Sequence, residues 1–157
     1  MKKIVTALLD DLSSEAKMNE RKRKNYNFHK DDSDPVQRML NALEPSTYVR
    51  PHRHVNPDKR EVFILLRGRI AVVEFNDKGV VSDLIILDQS IGNYAAEVAP
   101  GIWHTVVSLE NNSVYYELKD GPYDKNTDKI FSEWSSAEGT QEAVKYLDKL
   151  KNKICSV

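Results

Sequence analysis

From Val36 to Leu118 the chain alternates apolar and polar residues in short runs, and turn-forming residues cut those runs at close, nearly even intervals. A period of two sends successive side chains to opposite faces of an extended strand. It predicts strands over Val36–Leu43, Thr47–Arg50, Glu61–Leu66, Arg69–Phe75, Val80–Leu87, Tyr94–Val98, Thr105–Leu109 and Val114–Leu118. Glu44-Pro45-Ser46, Asn56-Pro57-Asp58, Arg67-Gly68, Asn76-Asp77-Lys78-Gly79 and Glu110-Asn111-Asn112-Ser113 mark the breaks. Many short strands at this cadence make an all-β sandwich or barrel rather than alternating β and α units.

Helical periodicity is confined to the two ends. Ile4, Val5, Leu8, Leu9 and Leu12 predict an amphipathic helix over about residues 3–18. Val144, Leu147, Leu150 and Ile154 are expected to line one face of a C-terminal helix that Thr140 caps. Between the first helix and the strands, Arg21-Lys22-Arg23-Lys24 reads as a solvated connector. Asn25, Asn27 and His29 share a face and read as a surface loop, the alternative being a segment that closes over the barrel mouth; the loop Asp31-Asp32-Ser33-Asp34-Pro35 follows. The acids of that loop lack the glycine and terminal glutamate of a calcium loop. The organisation expected is one mainly β domain: residues 1–33 as N-terminal helix and connector, 34–138 as the barrel, and 139–157 as the C-terminal helix.

Composition narrows the function classes. A net charge of −1, with no basic patch beyond residues 21–24, gives nucleic acid no electrostatic footprint. The single cysteine, Cys155, has no partner for an intrachain disulfide and suits a reducing cytoplasm. The N-terminal apolar run is cut by Asp10-Asp11, so a secretory signal is not expected. No run approaches the ~20 apolar residues of a membrane span.

Three of the four histidines stand in two short stretches, Pro51-His52-Arg53-His54 and Pro100-Gly101-Ile102-Trp103-His104. In an extended segment His52 and His54 project from one face, together with Tyr48 and Arg50. Glu61 opens the next strand and shares a face with Phe63 and Leu65, so it is expected to point inward. An inward carboxylate needs a cation or hydrogen-bond donors. The Pro100-Gly101 turn sets where the strand carrying His104 begins. Three imidazoles and a carboxylate suit a divalent transition metal with open positions for substrate or water. Taken alone, a His52-x-His54 pair usually reads as two surface or half-buried rings.

Other residues are weaker candidates. Arg50 has a planar fork suited to carboxylate or phosphate, or it is a strand arginine paired with a glutamate. Arg38 is a second candidate for the same task. Tyr48 offers a hydroxyl or a stacking face for a sugar ring, or it packs in the barrel core. Tyr48 and Glu61 are the candidate acid/base groups, and Trp103 is expected to be packing. No nucleophile elbow, phosphate-cradling loop or dinucleotide fingerprint is present.

His52-x-His54, Glu61 and Gly68 resemble the first cupin motif, and Gly92 through Pro100-Gly101-Ile102-Trp103-His104 resembles the second. Asp34–Arg38, Asn41–Pro45, Tyr48–His54, Pro100–Ser108 and Gly121-Pro122-Tyr123 resemble WbuC-type cupins, over roughly residues 20–138. The resemblance implies a jelly-roll β-barrel holding a metal on His52, His54, Glu61 and His104. It also implies a setting in bacterial surface polysaccharide biosynthesis, of O-antigen, lipopolysaccharide or capsule. The chain departs from the general motif in three places. Six residues separate His54 from Glu61, more than is usual; Pro100 stands one residue nearer its histidine; and Ser108 takes a place where asparagine is common.

These residues are compatible with zinc, iron, manganese or nickel. Three roles follow: an isomerase, epimerase or lyase, with an iron dioxygenase as a variant; a metal-dependent binding or regulatory module; or a metal-stapled structural domain. The expected partner is a small sugar-derived or carboxylate ligand, with no nucleic acid and no membrane. The chain is expected to be a cytoplasmic homodimer.

Overall fold

A computed structural model describes residues 1–156. Its elements run α1 (Thr6–Met18), β1 (Arg23–Asn27), β2 (Val36–Leu43), β3 (His52–Arg53), β4 (Glu61–Arg67), β5 (Ile70–Phe75), β6 (Val81–Leu87), β7 (Ala95–Val98), β8 (Trp103–Ser108), β9 (Ser113–Asp120), β10 (Ile130–Phe131) and α2 (Gln141–Ile154). The strands form two five-stranded sheets, ordered β1-β2-β9-β4-β7 and β10-β3-β8-β5-β6, and every pairing is antiparallel. The sequence-predicted mainly β architecture with a helix at each end is therefore observed.

Alternation decides what each sheet face covers. Ile70 and Val72 of β5 pack between the sheets with Leu43, Phe63, Leu65 and Val106. Ala71, Val73 and Phe75 point the other way and meet Ala143, Leu147, Leu150 and Ile154 of α2. Because both faces of β5 are covered, its sequence is nearly continuous in apolar residues. On the opposite side Leu12 and Ala16 of α1 cover Leu40, Ala42 and Val114. Thr140 caps α2, its side chain accepting from the Ala143 N–H at 3.1 Å.

Four expectations are corrected. The first helix starts at Thr6, leaving Ile4 and Val5 exposed ahead of it. Val144 is exposed, and Ala143 occupies the buried face with Leu147, Leu150 and Ile154, a 4-3-4 spacing that tracks the helix more closely. Residues 23–27 form an edge strand against β2 instead of a connector and loop. Finally, Thr47–Arg50 makes no strand. The Tyr48 carbonyl accepts from Arg23 at 2.8 Å and the Val49 carbonyl from Thr105 Oγ1 at 2.5 Å, side-chain bonds where a ladder was expected. Pro51, which has no N–H to donate, follows directly, and pairing begins only at His52.

Candidate metal centre

The irregular segment before His52 alters which residues share a face. Val49 packs in the core between the sheets, whereas Tyr48 faces outward against α2. His52 and His54 are nonetheless buried among the inner residues, so the simple parity linking Tyr48 to the histidines does not hold across Pro51. His52 lies in register with His104 on β8, their ring centroids 4.5 Å apart. Glu61 comes from β4 in the facing sheet, and His54 from just beyond β3. The cluster thus joins the two sheets.

One potential ligand atom from each of His52, His54, Glu61 and His104 lies within 4.8 Å of the others, and all four residues are buried. Nδ1 of His52 is 2.9 Å from the Arg50 carbonyl, Nδ1 of His104 is 2.9 Å from the Ile102 carbonyl, and Nδ1 of His54 bonds to the Asp128 carbonyl. A carbonyl can only accept, so each ring carries a proton on Nδ1 and turns Nε2 toward the cluster. Among the described residues Nε2 of His52 and of His54 has no hydrogen-bond partner, although His54 Nε2 is 3.1 Å from Glu61 Oε1. His104 Nε2 is 2.8 Å from Glu61 Oε2, a separation at which two lone pairs need a proton or a cation between them. These donors fit a divalent transition metal: three oriented imidazoles, one carboxylate, and backbone carbonyls setting the tautomers.

Electrostatics agree with that fit. Burial, aided by Lys129 and His104, pushes the His52 imidazole well below its usual range, toward the neutral form a metal requires. Burial alone would raise the Glu61 carboxyl, but the close His104 and His54 imidazoles outweigh it and hold the group well below the usual carboxylate range.

Residues 4–87 match the model of a family described as a domain of unknown function, DUF6016. The chain belongs to that family. No curated protein matches it by sequence. Among solved structures it is similar to an uncharacterized conserved protein with a double-stranded β-helix domain from Klebsiella pneumoniae, at 13% identity and TM-score 0.57, covering 85% of this chain and 99% of that one. KdgF from a Halomonas species is similar at 14% identity and TM-score 0.51, covering 66% of this chain and 83% of that one. CapF, a capsular polysaccharide assembling protein from Staphylococcus aureus, is similar at 19% identity and TM-score 0.55; the match covers 72% of this chain but only 30% of CapF. The shared architecture is a double-stranded β-helix, the jelly-roll barrel that the two histidine motifs led one to expect.

Around the four candidate ligands the barrel carries a buried ion cluster that the sequence motifs do not reveal. The Asp128 carboxylate accepts from Lys59 at 2.8 Å and from Lys119 at 2.6 Å, and Lys119 Nζ also lies 3.8 Å from Glu61 Oε1. All three residues are buried. The same Asp128 supplies the carbonyl that orients His54, so the segment between β9 and β10 is tied to the cluster through both its backbone and its charge.

The remaining candidates lie further out. Arg50 donates to the Ser132 carbonyl at 2.6 Å and to Ser135 Oγ at 3.2 Å, with its guanidinium over the Phe131 ring. Arg38 pairs with Asp34 at 2.7 Å. The Tyr48 hydroxyl donates to the Ser136 carbonyl at 3.1 Å. Trp103 packs in the α2-side cluster and its indole N–H bonds to Asp77 at 3.1 Å.

Two acids on inner faces had gone unnoticed. Glu74 has the parity of Ile70 and Val72, and Glu117 that of Tyr115, a signal present in the sequence once those apolar residues are known to face inward. Glu117 accepts from Asn41 Nδ2 at 2.9 Å, and burial beside Glu61 pushes its carboxyl up to about 7. Above its unfolded value, near 4.5, the unfolded chain has lost a proton that the folded chain keeps until about pH 7. This group therefore makes stability fall as pH rises through that window and then level off. Urea midpoints of the metal-free protein at pH 5 and pH 7.5 are expected to drop more for the parent than for Glu117→Gln, and equal drops contradict the assignment.

Proposed function

We propose that this chain is a divalent-metal cupin that binds a small sugar-derived metabolite at a metal held by His52, His54, Glu61 and His104, in bacterial surface polysaccharide biosynthesis. The observation that carries the metal is the convergence of three Nε2 atoms, each oriented by a backbone carbonyl on its own Nδ1, upon the Glu61 carboxylate. The polysaccharide setting draws support from the likeness to the capsular polysaccharide assembling protein CapF and from the WbuC-like stretches of sequence. The reading takes the chain to be a cytoplasmic homodimer. No helix among the described residues is long and apolar enough to cross a membrane.

When bound, the metal supplies a Lewis acid for a carbonyl or hydroxyl oxygen. The protein supplies the rest. Carbonyls of Arg50, Ile102 and Asp128 fix the imidazole tautomers, and Lys119 places an ammonium 3.8 Å from the Glu61 carboxylate. The apolar wall of Phe63, whose ring is 6.2 Å from that of His104, closes one side against water.

Ligand-observed NMR with a panel of free sugars tests the reading. Saturable binding to zinc-loaded protein, lost on chelation and absent from His52→Ala/His104→Ala, is the expected result. Binding that survives both chelation and the double substitution contradicts a metal-centred ligand site.

A further inference from the structure

One row of residues runs straight across the second sheet. Asp83 on β6 is in register with Glu74 on β5, Glu74 with His104 on β8, and His104 with His52 on β3. Directly opposed residues of antiparallel strands share a face, with Cβ atoms about 5 Å apart. The row thus leads from an exposed aspartate at the β6 edge, through half-buried Glu74, to two buried candidate ligands, and it ends at a His52 Nε2 that has no partner.

A cavity of about 380 Å³ opens where β6 and β7, the ends of the two sheets, approach each other. That volume lies within the range of small-molecule sites. Val72 and Ile85 of one sheet and Ala96 and Val98 of the other supply apolar walls, and Glu74 and Asp83 supply carboxylates. Two of these wall residues are in register with the metal cluster, Glu74 beside His104 and Val98 beside Glu61. The cavity therefore adjoins the cluster from both sheets.

Its charge is one-sided. Glu97 adds a third carboxylate at the rim, and no lysine or arginine lines the cavity. Among the described residues nothing donates a hydrogen bond to the Glu74 carboxylate, while Asp83 accepts only from the Leu84 N–H at 2.8 Å. The two arginines suited to gripping an anion are engaged elsewhere, Arg50 with Ser132 and Ser135 and Arg38 with Asp34. Apolar walls and unpartnered carboxylates favour a ligand that presents C–H faces and hydroxyl or ammonium donors, and repel a carboxylate or phosphate.

Resting on the reading of a metal-centred sugar site, we propose that the ligand enters between β6 and β7 and is a neutral polyol or an amino sugar, its hydroxyl or ammonium groups bound by Glu74 and Asp83. Glu74 is then the residue that sets specificity for charge.

Three probes with one ring and three charges test this: D-glucosamine, D-glucose and D-glucuronate, titrated into zinc-loaded protein and followed by the backbone amide shifts of Glu74, Asp83 and Ala96. Glucosamine is expected to saturate these shifts at a concentration about tenfold or more below glucuronate, with glucose between them. Glu74→Gln/Asp83→Asn is expected to remove most of that ordering, and exposed Asp83→Asn alone to reduce it if the double variant fails to fold. Glucuronate binding as tightly as glucosamine, an ordering that survives the substitutions, or no shift with any probe overturns the proposal. A chelated sample titrated in parallel separates the two readings: the same ordering without zinc supports the cavity assignment and tells against the metal as the ligand's anchor.

Discussion

Zinc added to the metal-free protein is expected to raise its unfolding free energy by about 4 kcal/mol once free zinc reaches a thousand times Kd. In His52→Ala/His104→Ala that gain should disappear. The size follows from linkage: a site assembled by folding binds the ion far more strongly than the unfolded chain does. Here the site is assembled from β3, β4 and β8 and the turn after β3, with His52 and Glu61 in different sheets, so the unfolded chain cannot reproduce it. Urea unfolding with and without zinc measures the effect. An unchanged midpoint in the parent, or an equal gain in the double variant, contradicts the ligand assignment.

Asp128→Ala should be the most damaging single substitution outside the four ligands, costing about 3–5 kcal/mol. It strands two buried ammonium groups, Lys59 and Lys119, whose bonds to Asp128 are 2.8 and 2.6 Å. Lys119 would keep the more distant Glu61 carboxylate at 3.8 Å and the face of the Tyr123 ring, and Lys59 the Pro122 carbonyl. Removing the charge differs from replacing the whole cluster with apolar side chains, because the cost lies in the partners left unpaired. The check is the urea midpoint at constant zinc. A loss below about 1 kcal/mol, the scale of an exposed pair, would mean that water reaches these lysines.

The residues proposed to hold the metal were legible because their information is local. Glu61 announces itself by sharing parity with Phe63 and Leu65, both in the core between the sheets. His52 and His54 were expected on one face and both are buried, but that shared face does not extend to Tyr48. The face reverses between Val49 and His52, where the backbone leaves the ladder ahead of Pro51. Edge strand β1 was hidden for a related reason: four of its five residues are exposed, so burial imposes no apolar alternation on them. Asp128 was invisible. It sits in a loop 74 residues from His54 and acts through a backbone oxygen, which no side-chain pattern records. Glu74 and Glu117 lay between these cases, because parity gives their face but only the pairing of strands shows that the face meets the metal cluster.

The most direct measurement is elemental analysis of the protein purified without a metal-affinity column, beside His52→Ala/His104→Ala prepared the same way. Close to one zinc, iron, manganese or nickel ion per chain in the parent, and little in the variant, is the expected result. Neither protein carrying metal after supplementation, or both carrying it equally, would contradict a centre built on His52, His54, Glu61 and His104.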